Sequence, residues 1–274
     1  MIYIVFFIFL VIMFYIFVLF IVKNTRNVLK IVGSGPGDLE LLTIKAYKCI
    51  ENADILLYDN LVNEKMLDIA SKKCQKIYVG KRPYGKCVPQ ENINALIAYY
   101  CKRFSNVVRL KGGDPYVFGR GFEEWLVAKT LGVDVEYVPG ISSMQGVGLN
   151  DIPLTHRGIS EGVWALTGMK ADGDMAADLS LAVHCNSTVV IYMGMRKLAE
   201  IARTYLMNGK GDKPAAIIQQ VSQANEKKVV CKVKDLVKVS RETRMSHPAI
   251  IVIGEVVNLQ HDLLSLLRPE RNIV

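Results

Sequence analysis

The chain has 274 residues, with 34 Lys and Arg against 26 Asp and Glu, a formal charge of +8. With 51% hydrophobic and 22% charged residues it has the composition of a folded globular chain, which excludes a solvated, disordered tail. The positive excess favours an anionic partner, but no long Lys/Arg block or aromatic–basic interleaving of the nucleic-acid kind is present.

Residues 1–22 form a hydrophobic leader in which Tyr3 and Tyr15 are the only polar-tipped side chains. As a helix it would extend about 33 Å, enough for a bilayer core of about 30 Å. Lys23, Arg26 and Lys30 follow it and favour a body on the cytoplasmic side. The leader is a membrane anchor or targeting signal, a cleaved signal peptide, or the product of a start upstream of Met13. The signal peptide fits least, because no basic n-region precedes the run and no small-residue cleavage site follows it.

The body alternates β-branched runs with helical spacing, the pattern of an α/β fold. Strands are expected at Val28–Val32, Asp54–Tyr58, Lys76–Val79, Val107–Leu110 and Val133–Val138. Helices are expected at Leu39–Glu51, Gln90–Arg103 and Gly121–Leu131. Pro139-Gly140 marks a hinge. Beyond it, strands are expected at Val163–Thr167, Ser187–Met193, Ala215–Gln219 and Ala249–Gly254, with a helix over Met195–Met207. This divides the body into two α/β domains, residues 28–139 and 140–260.

Six cysteines (49, 74, 87, 101, 185, 231) and four histidines (156, 184, 247, 261) are scattered, with no C-x-x-C and no short Cys/His cluster. No metal site is indicated, and free thiols in a reducing compartment are the expected state.

Four strand ends carry the candidate chemistry. Gly33-Ser34-Gly35-Pro36-Gly37-Asp38 follows the first strand, yet Asp38 stands where a dinucleotide fingerprint needs glycine and Pro36 lacks a donor. It is either a ligand-facing turn or a tight turn alone. Gly112-Gly113-Asp114-Pro115 follows the fourth strand, where close backbone approach and one carboxylate would suit an ammonium or ribose hydroxyls; an ordinary turn is the alternative. Asp59 closes the second strand and can accept a proton. Lys81 and Arg82 close the third, either as a carboxylate site or as a solvated loop.

In one order, these stretches resemble the tetrapyrrole methylase family. The matching segments are VGSGPGDLELLTIKA (32–46), LYDNLV (57–62), VGKRPYGKCVPQENIN (79–94), VRLKGGDPYVFGRGFEE (108–124), VPGI (138–141), IPLTHR (152–157), YMG (192–194) and IGEV (253–256). Within that family the Lys-Arg motif with Gln90 and Asn94 is closest to the members that methylate uroporphyrinogen III.

The resemblance implies two α/β domains with S-adenosyl-L-methionine in the cleft between them, a homodimer, and methylation of uroporphyrinogen III at two ring carbons to precorrin-2, for siroheme or cobalamin. It implies no metal and no nucleic acid. It assigns methyl-donor contacts to Pro36, Gly112, Gly113, Asp114, Val117, Ser142, Ser143, Met193 and Val221. Asp59 becomes the proton acceptor and Lys81 the proton donor. Arg82, Arg109, Lys111, Arg120 and Arg157 become candidate anchors for the substrate's carboxylates. The sequence departs from the family pattern at Ser142-Ser143-Met144 (usually Thr-Ala-Ala), Met169 (usually His), Lys86 (usually His) and Val221 (often Gly). Alternative readings are a precorrin or diphthine methyltransferase, and a membrane-tethered tetrapyrrole-binding protein without turnover.

Overall fold

The structure, a computed structural model, describes residues 10, 12–13, 27–80, 88–170 and 172–259. The leader over residues 1–22 lies outside the described residues apart from Leu10, Ile12 and Met13, and so do Lys81, Arg82 and Lys86. Among the described residues no helix is long and apolar enough to cross a membrane.

The first half runs β1 (Val28–Gly33), α1 (Ile44–Glu51), β2 (Ile55–Tyr58), β3 (Gln75–Tyr78), α2 (Gln90–Cys101), β4 (Asn106–Lys111), α3 (Gly121–Thr130) and β5 (Asp134–Val138). Its five strands form one sheet in the order β3-β2-β4-β1-β5, and every pairing is parallel. A parallel sheet covered on both faces needs strands that are apolar throughout. Accordingly Leu29, Ile31, Ile55, Leu57 and Val107 pack under α2 and α3, while Val32, Leu56, Val108 and Leu110 pack under α1.

The second half runs α4 (Ser143–Gly146), β6 (Val163–Thr167), α5 (Leu179–Ala182), β7 (Thr188–Tyr192), α6 (Leu198–Met207), β8 (Pro214–Gln219), β9 (Lys227–Lys232), α7 (Leu236–Glu242) and β10 (Ala249–Ile253). The sheet order is β6-β7-β10-β8-β9; β6 and β7 are parallel and the other pairs antiparallel. One face packs on α5, α6 and α7 through Ile191, Ile217 and Ile251. The opposite face, with Val190, Ile218 and Val252, is covered by Val147, Ile152, Val221 and Val256.

Three expectations change. The helix expected over Leu39–Glu51 is broken: a short 3-10 turn at Leu39–Leu41 starts on Asp38, whose side chain accepts from Glu40 N. Leu42 and Thr43 are extended, and Thr43 caps α1 by accepting from Ala46 N at 3.0 Å. Two cap residues five positions apart restart the helix. The helix expected from Met195 likewise begins with a 3-10 turn, Met195–Lys197. Strand β9 was not expected, because its lysines 227, 228 and 232 hide the alternation of an edge strand.

Candidate functional site

Parallel sheets present ligands at the carboxyl ends of their strands, where the order of connections reverses. In the first sheet that edge carries Ser34–Asp38 after β1, Asp59–Val62 after β2, Gly112–Gly121 after β4 and Pro139–Ser142 after β5. Three glycines let these loops meet backbone to backbone. Gly35 and Gly113 form an antiparallel bridge, with Gly113 N donating to Gly35 O at 2.8 Å. A Cβ on Gly33 would lie 2.6 Å from Gly113 O and from Gly140 Cα, so no side chain fits there. Gly113 itself has φ +64°, and a Cβ on it would meet nothing nearer than Ser142 Cα at 3.9 Å. The loop's backbone therefore fronts open space bounded by Ser142, which suits a ligand lying against main chain.

Asp114 ties these loops together from within. It is 7% exposed. Its Oδ1 accepts from Tyr116 N at 2.8 Å, and its Oδ2 accepts from Tyr137 Oη at 2.6 Å and Gly140 N at 3.1 Å. The carboxylate thus joins the end of β4 to the hinge after β5. Burial, then the hydrogen bond to Asp114, pushes the Tyr137 phenol well above its ordinary value, so it stays a donor. Tyr137 also stacks on Tyr116 with ring centroids 4.0 Å apart.

The second half closes the other side. Tyr192, at the end of β7, shares a hydrogen bond of 2.6 Å with Ser142 Oγ and accepts from Met144 N at 3.2 Å. Phe118 from the Gly-Gly-Asp-Pro loop packs on the Tyr192 ring at 4.8 Å. Met193 follows with φ +54° and is half exposed. Asp38 N donates to Ser222 Oγ at 3.0 Å, and Gly37 lies against the Gln223 side chain. Val221 is buried, with Cγ1 2.5 Å from where a Cβ on Gly146 would stand, beside Pro36. Thus Pro36, Gly113, Asp114, Ser142, Met193 and Val221 are brought together from both halves, with Gly112 packed on Leu61 beside Asp59. Val117, in the same loop, donates its N–H to Asp114 O, and Ser143 opens α4.

The cations fall into two groups. Arg120 and Arg157 are exposed at the surface, and Arg120 pairs bidentately with Glu123 at 2.7 and 2.6 Å. Arg109 and Lys111, expected as free anchors, are 2% and 5% exposed instead. They alternate on β4 toward α3, whose Glu124 Oε1 meets Arg109 Nε at 3.2 Å and Lys111 Nζ at 3.1 Å. Arg109 Nη2 also reaches Asp59 Oδ2 at 3.3 Å. A cation on an interior strand face cannot remain unpaired, so these two are committed to carboxylates of their own chain. Burial, with Arg109 adding repulsion, pulls the Lys111 ammonium below its ordinary pKa.

The residues that sequence patterns did not single out are Glu124, Tyr137 and Tyr192. Glu124 and Tyr192 stood inside quoted motifs without a role, and Tyr137 carries no motif at all. Among the described residues no group of three or more His, Cys, Asp and Glu is placed to hold a metal ion.

The family profile described as Tetrapyrrole (Corrin/Porphyrin) Methylases matches residues 28–237. A uroporphyrinogen-III C-methyltransferase of Bacillus subtilis (strain 168) is 42% identical over 236 residues, covering 85% of this chain and 92% of its own. A siroheme synthase of Acinetobacter baylyi is 38% identical over 235 residues, and there the chain spans only 51% of the relative's length. Among solved structures, a uroporphyrin-III C-methyl transferase from Thermus thermophilus complexed with S-adenyl homocysteine superposes with a TM-score of 0.74 at 38% identity, covering 84% of this chain and 99% of that one. The profile spans the first sheet and every strand of the second except β10, and the chain belongs to the tetrapyrrole methylase family.

Proposed function

We propose that this chain transfers methyl groups from S-adenosyl-L-methionine to two ring carbons of uroporphyrinogen III, giving precorrin-2 for siroheme or cobalamin. The observation that carries the reading is the backbone contact of Gly33 and Gly35 with Gly113 and Gly140, which leaves the open backbone at Gly113 facing Ser142. We assign residues 28–139 and 140–260 to two domains, with the methyl donor in the cleft between them.

When bound, the donor supplies an electrophilic methyl on a sulfonium sulfur; a nucleophilic pyrrole carbon forms the new C–C bond as the S–CH3 bond breaks. The chain's part is to align carbon, methyl and sulfur, which can account for several powers of ten in rate. Pro36, Gly112, Gly113, Val117, Ser142, Ser143, Met193 and Val221 line the donor's side of the cleft in this reading. Asp114 supports that wall from behind, since its oxygens already accept three hydrogen bonds.

Methylation leaves the macrocycle with one proton to lose. Asp59 stands at the mouth of the cleft, 19% exposed, with Oδ1 fixed by Leu61 N at 3.1 Å and Oδ2 held by Arg109. It is the proposed acceptor; Lys81, outside the described residues, is the proposed proton donor. The carboxylates of the substrate would be met by Arg82, Arg120 and Arg157, while Arg109 and Lys111 serve Asp59 and Glu124. A homodimer, and attachment or targeting through residues 1–22, complete the proposal; fractionation of the native protein with sequencing of its N-terminus tests the second.

The chemistry is tested by supplying reduced uroporphyrinogen III and methyl-labelled donor to the purified protein. Label is expected in the macrocycle. A folded protein that binds S-adenosylhomocysteine and transfers no label overturns the reading.

A further inference from the structure

Glu124 sits in the first turn of α3 with no exposed surface, although a buried carboxylate is costly unless fully paired. Its Oε1 takes three donors: Arg109 Nε at 3.2 Å, Lys111 Nζ at 3.1 Å and Gln90 Nε2 at 3.3 Å. Among the described residues its Oε2 has no hydrogen-bond partner. Two cations and one amide thus converge on a single carboxylate oxygen.

The consequence passes through Arg109. The guanidinium is planar and presents its donors in a fixed fork. Nε is tied to Glu124, Nη1 donates to Leu110 O at 2.8 Å and Leu57 O at 3.4 Å, and Nη2 donates to Asp59 Oδ2 at 3.3 Å. Three of these four contacts face inward, and the fourth sets the carboxylate at the cleft mouth. Two carboxylates and two cations make the cluster formally neutral. Without the charge of Glu124, two cations would face Asp59 alone, and the fork would lose the anchor opposite it.

We propose that Glu124 is a positioning residue for methyl transfer, holding the Arg109 fork so that Asp59 keeps the orientation needed to take the macrocycle's proton. This rests on the reading of Asp59 as proton acceptor. Glu124 does not touch substrate, so its effect belongs in turnover and not in affinity.

The test compares wild type, Glu124→Gln, Asp59→Asn and the double variant under saturating methyl donor. Glu124→Gln should lower kcat by about tenfold to a hundredfold, a part of the roughly hundredfold to ten-thousandfold that general acid–base catalysis contributes, with KM for uroporphyrinogen III and the Kd for S-adenosylhomocysteine changed by no more than about twofold. In the Asp59→Asn background the same substitution should add little, because groups acting as one unit are non-additive. An unchanged kcat, a loss confined to KM, or a full multiplicative loss in the double variant overturns the proposal. If Glu124→Gln fails to bind S-adenosylhomocysteine, Arg109→Lys decides: it keeps the charge but loses the fork, and should reproduce the kcat loss with binding intact. Loss of binding in both variants shows that the cluster serves folding and also overturns the proposal. Absence of turnover by wild type is a separate result, which removes the reading of the site itself.

Discussion

At the scale of single residues, the site is built from groups whose partners decide their use. Asp114 and Asp59 both follow parallel strands, yet one is buried under three donors and the other is partly exposed and paired with Arg109. Asp114→Asn replaces one acceptor oxygen with a donor, which faces either Tyr116 N or both Tyr137 Oη and Gly140 N. A buried, charge-assisted hydrogen bond is worth about 1.5–3 kcal/mol, so the variant should lose roughly 2–4 kcal/mol of stability. Thermal unfolding checks the loss, and S-adenosylhomocysteine affinity should fall with it because the loop after β4 is held less firmly to the backbone after β5. The roles of Arg109 and Lys111 were not legible from sequence. Their partner, Glu124, lies 15 and 13 residues away on another element, and only the packing of α3 on β4 brings the three together. The positions of Asp59 and the Gly-Gly-Asp-Pro loop were legible, because each directly follows an apolar strand.

At the scale of elements, the strands were readable to within a residue or two because buried parallel strands are continuous apolar runs. What escaped were elements whose signal is polar or local: the lysine-bearing edge strand β9, the Thr43 cap that splits the first helix, and the short helices α4, α5 and α7. The contact between loops is set by missing side chains. Gly33→Ala would force a Cβ to within 2.6 Å of Gly113 O, and backbone cannot yield as a flexible side chain does. Overpacking of this kind costs about 1–3 kcal/mol or more, and the expected result is loss of S-adenosylhomocysteine binding by calorimetry. Gly132→Ala is the comparison: φ is +72° but nothing lies within 4 Å, so it should cost about 1–2 kcal/mol of backbone strain and leave binding intact. Equal effects of the two substitutions on binding would contradict the account of the loop contact.

At the scale of the whole molecule, two half-bodies, each with its own two-faced sheet, meet through Phe118–Tyr192 and Asp38–Ser222. The interior also sets an alkaline limit. Burial pushes the Cys101 thiol up to about 11, and burial with Asp235 nearby does the same for Cys231. A thiol ionises earlier in the unfolded chain, near its ordinary value of 9.0, than in the fold. The stabilisation is therefore fully present below pH 9 and is lost as pH rises through about 11. Buried Lys111 acts in the opposite sense, since its lowered pKa makes stability rise toward the ordinary value of 10.5. Comparison with Cys101→Ala isolates the thiol: the difference in Tm between wild type and variant should narrow from pH 9 to pH 11. A constant difference would show that the thiol does not ionise differently in the two states.

Methyl transfer to uroporphyrinogen III can be followed in its product. The most direct measurement is mass and absorbance analysis of the macrocycle after incubation with methyl-labelled S-adenosyl-L-methionine. Two labelled methyl groups per macrocycle, a precorrin-2 chromophore and matching release of S-adenosylhomocysteine are expected. An unlabelled macrocycle, produced by folded protein that binds S-adenosylhomocysteine, would contradict it.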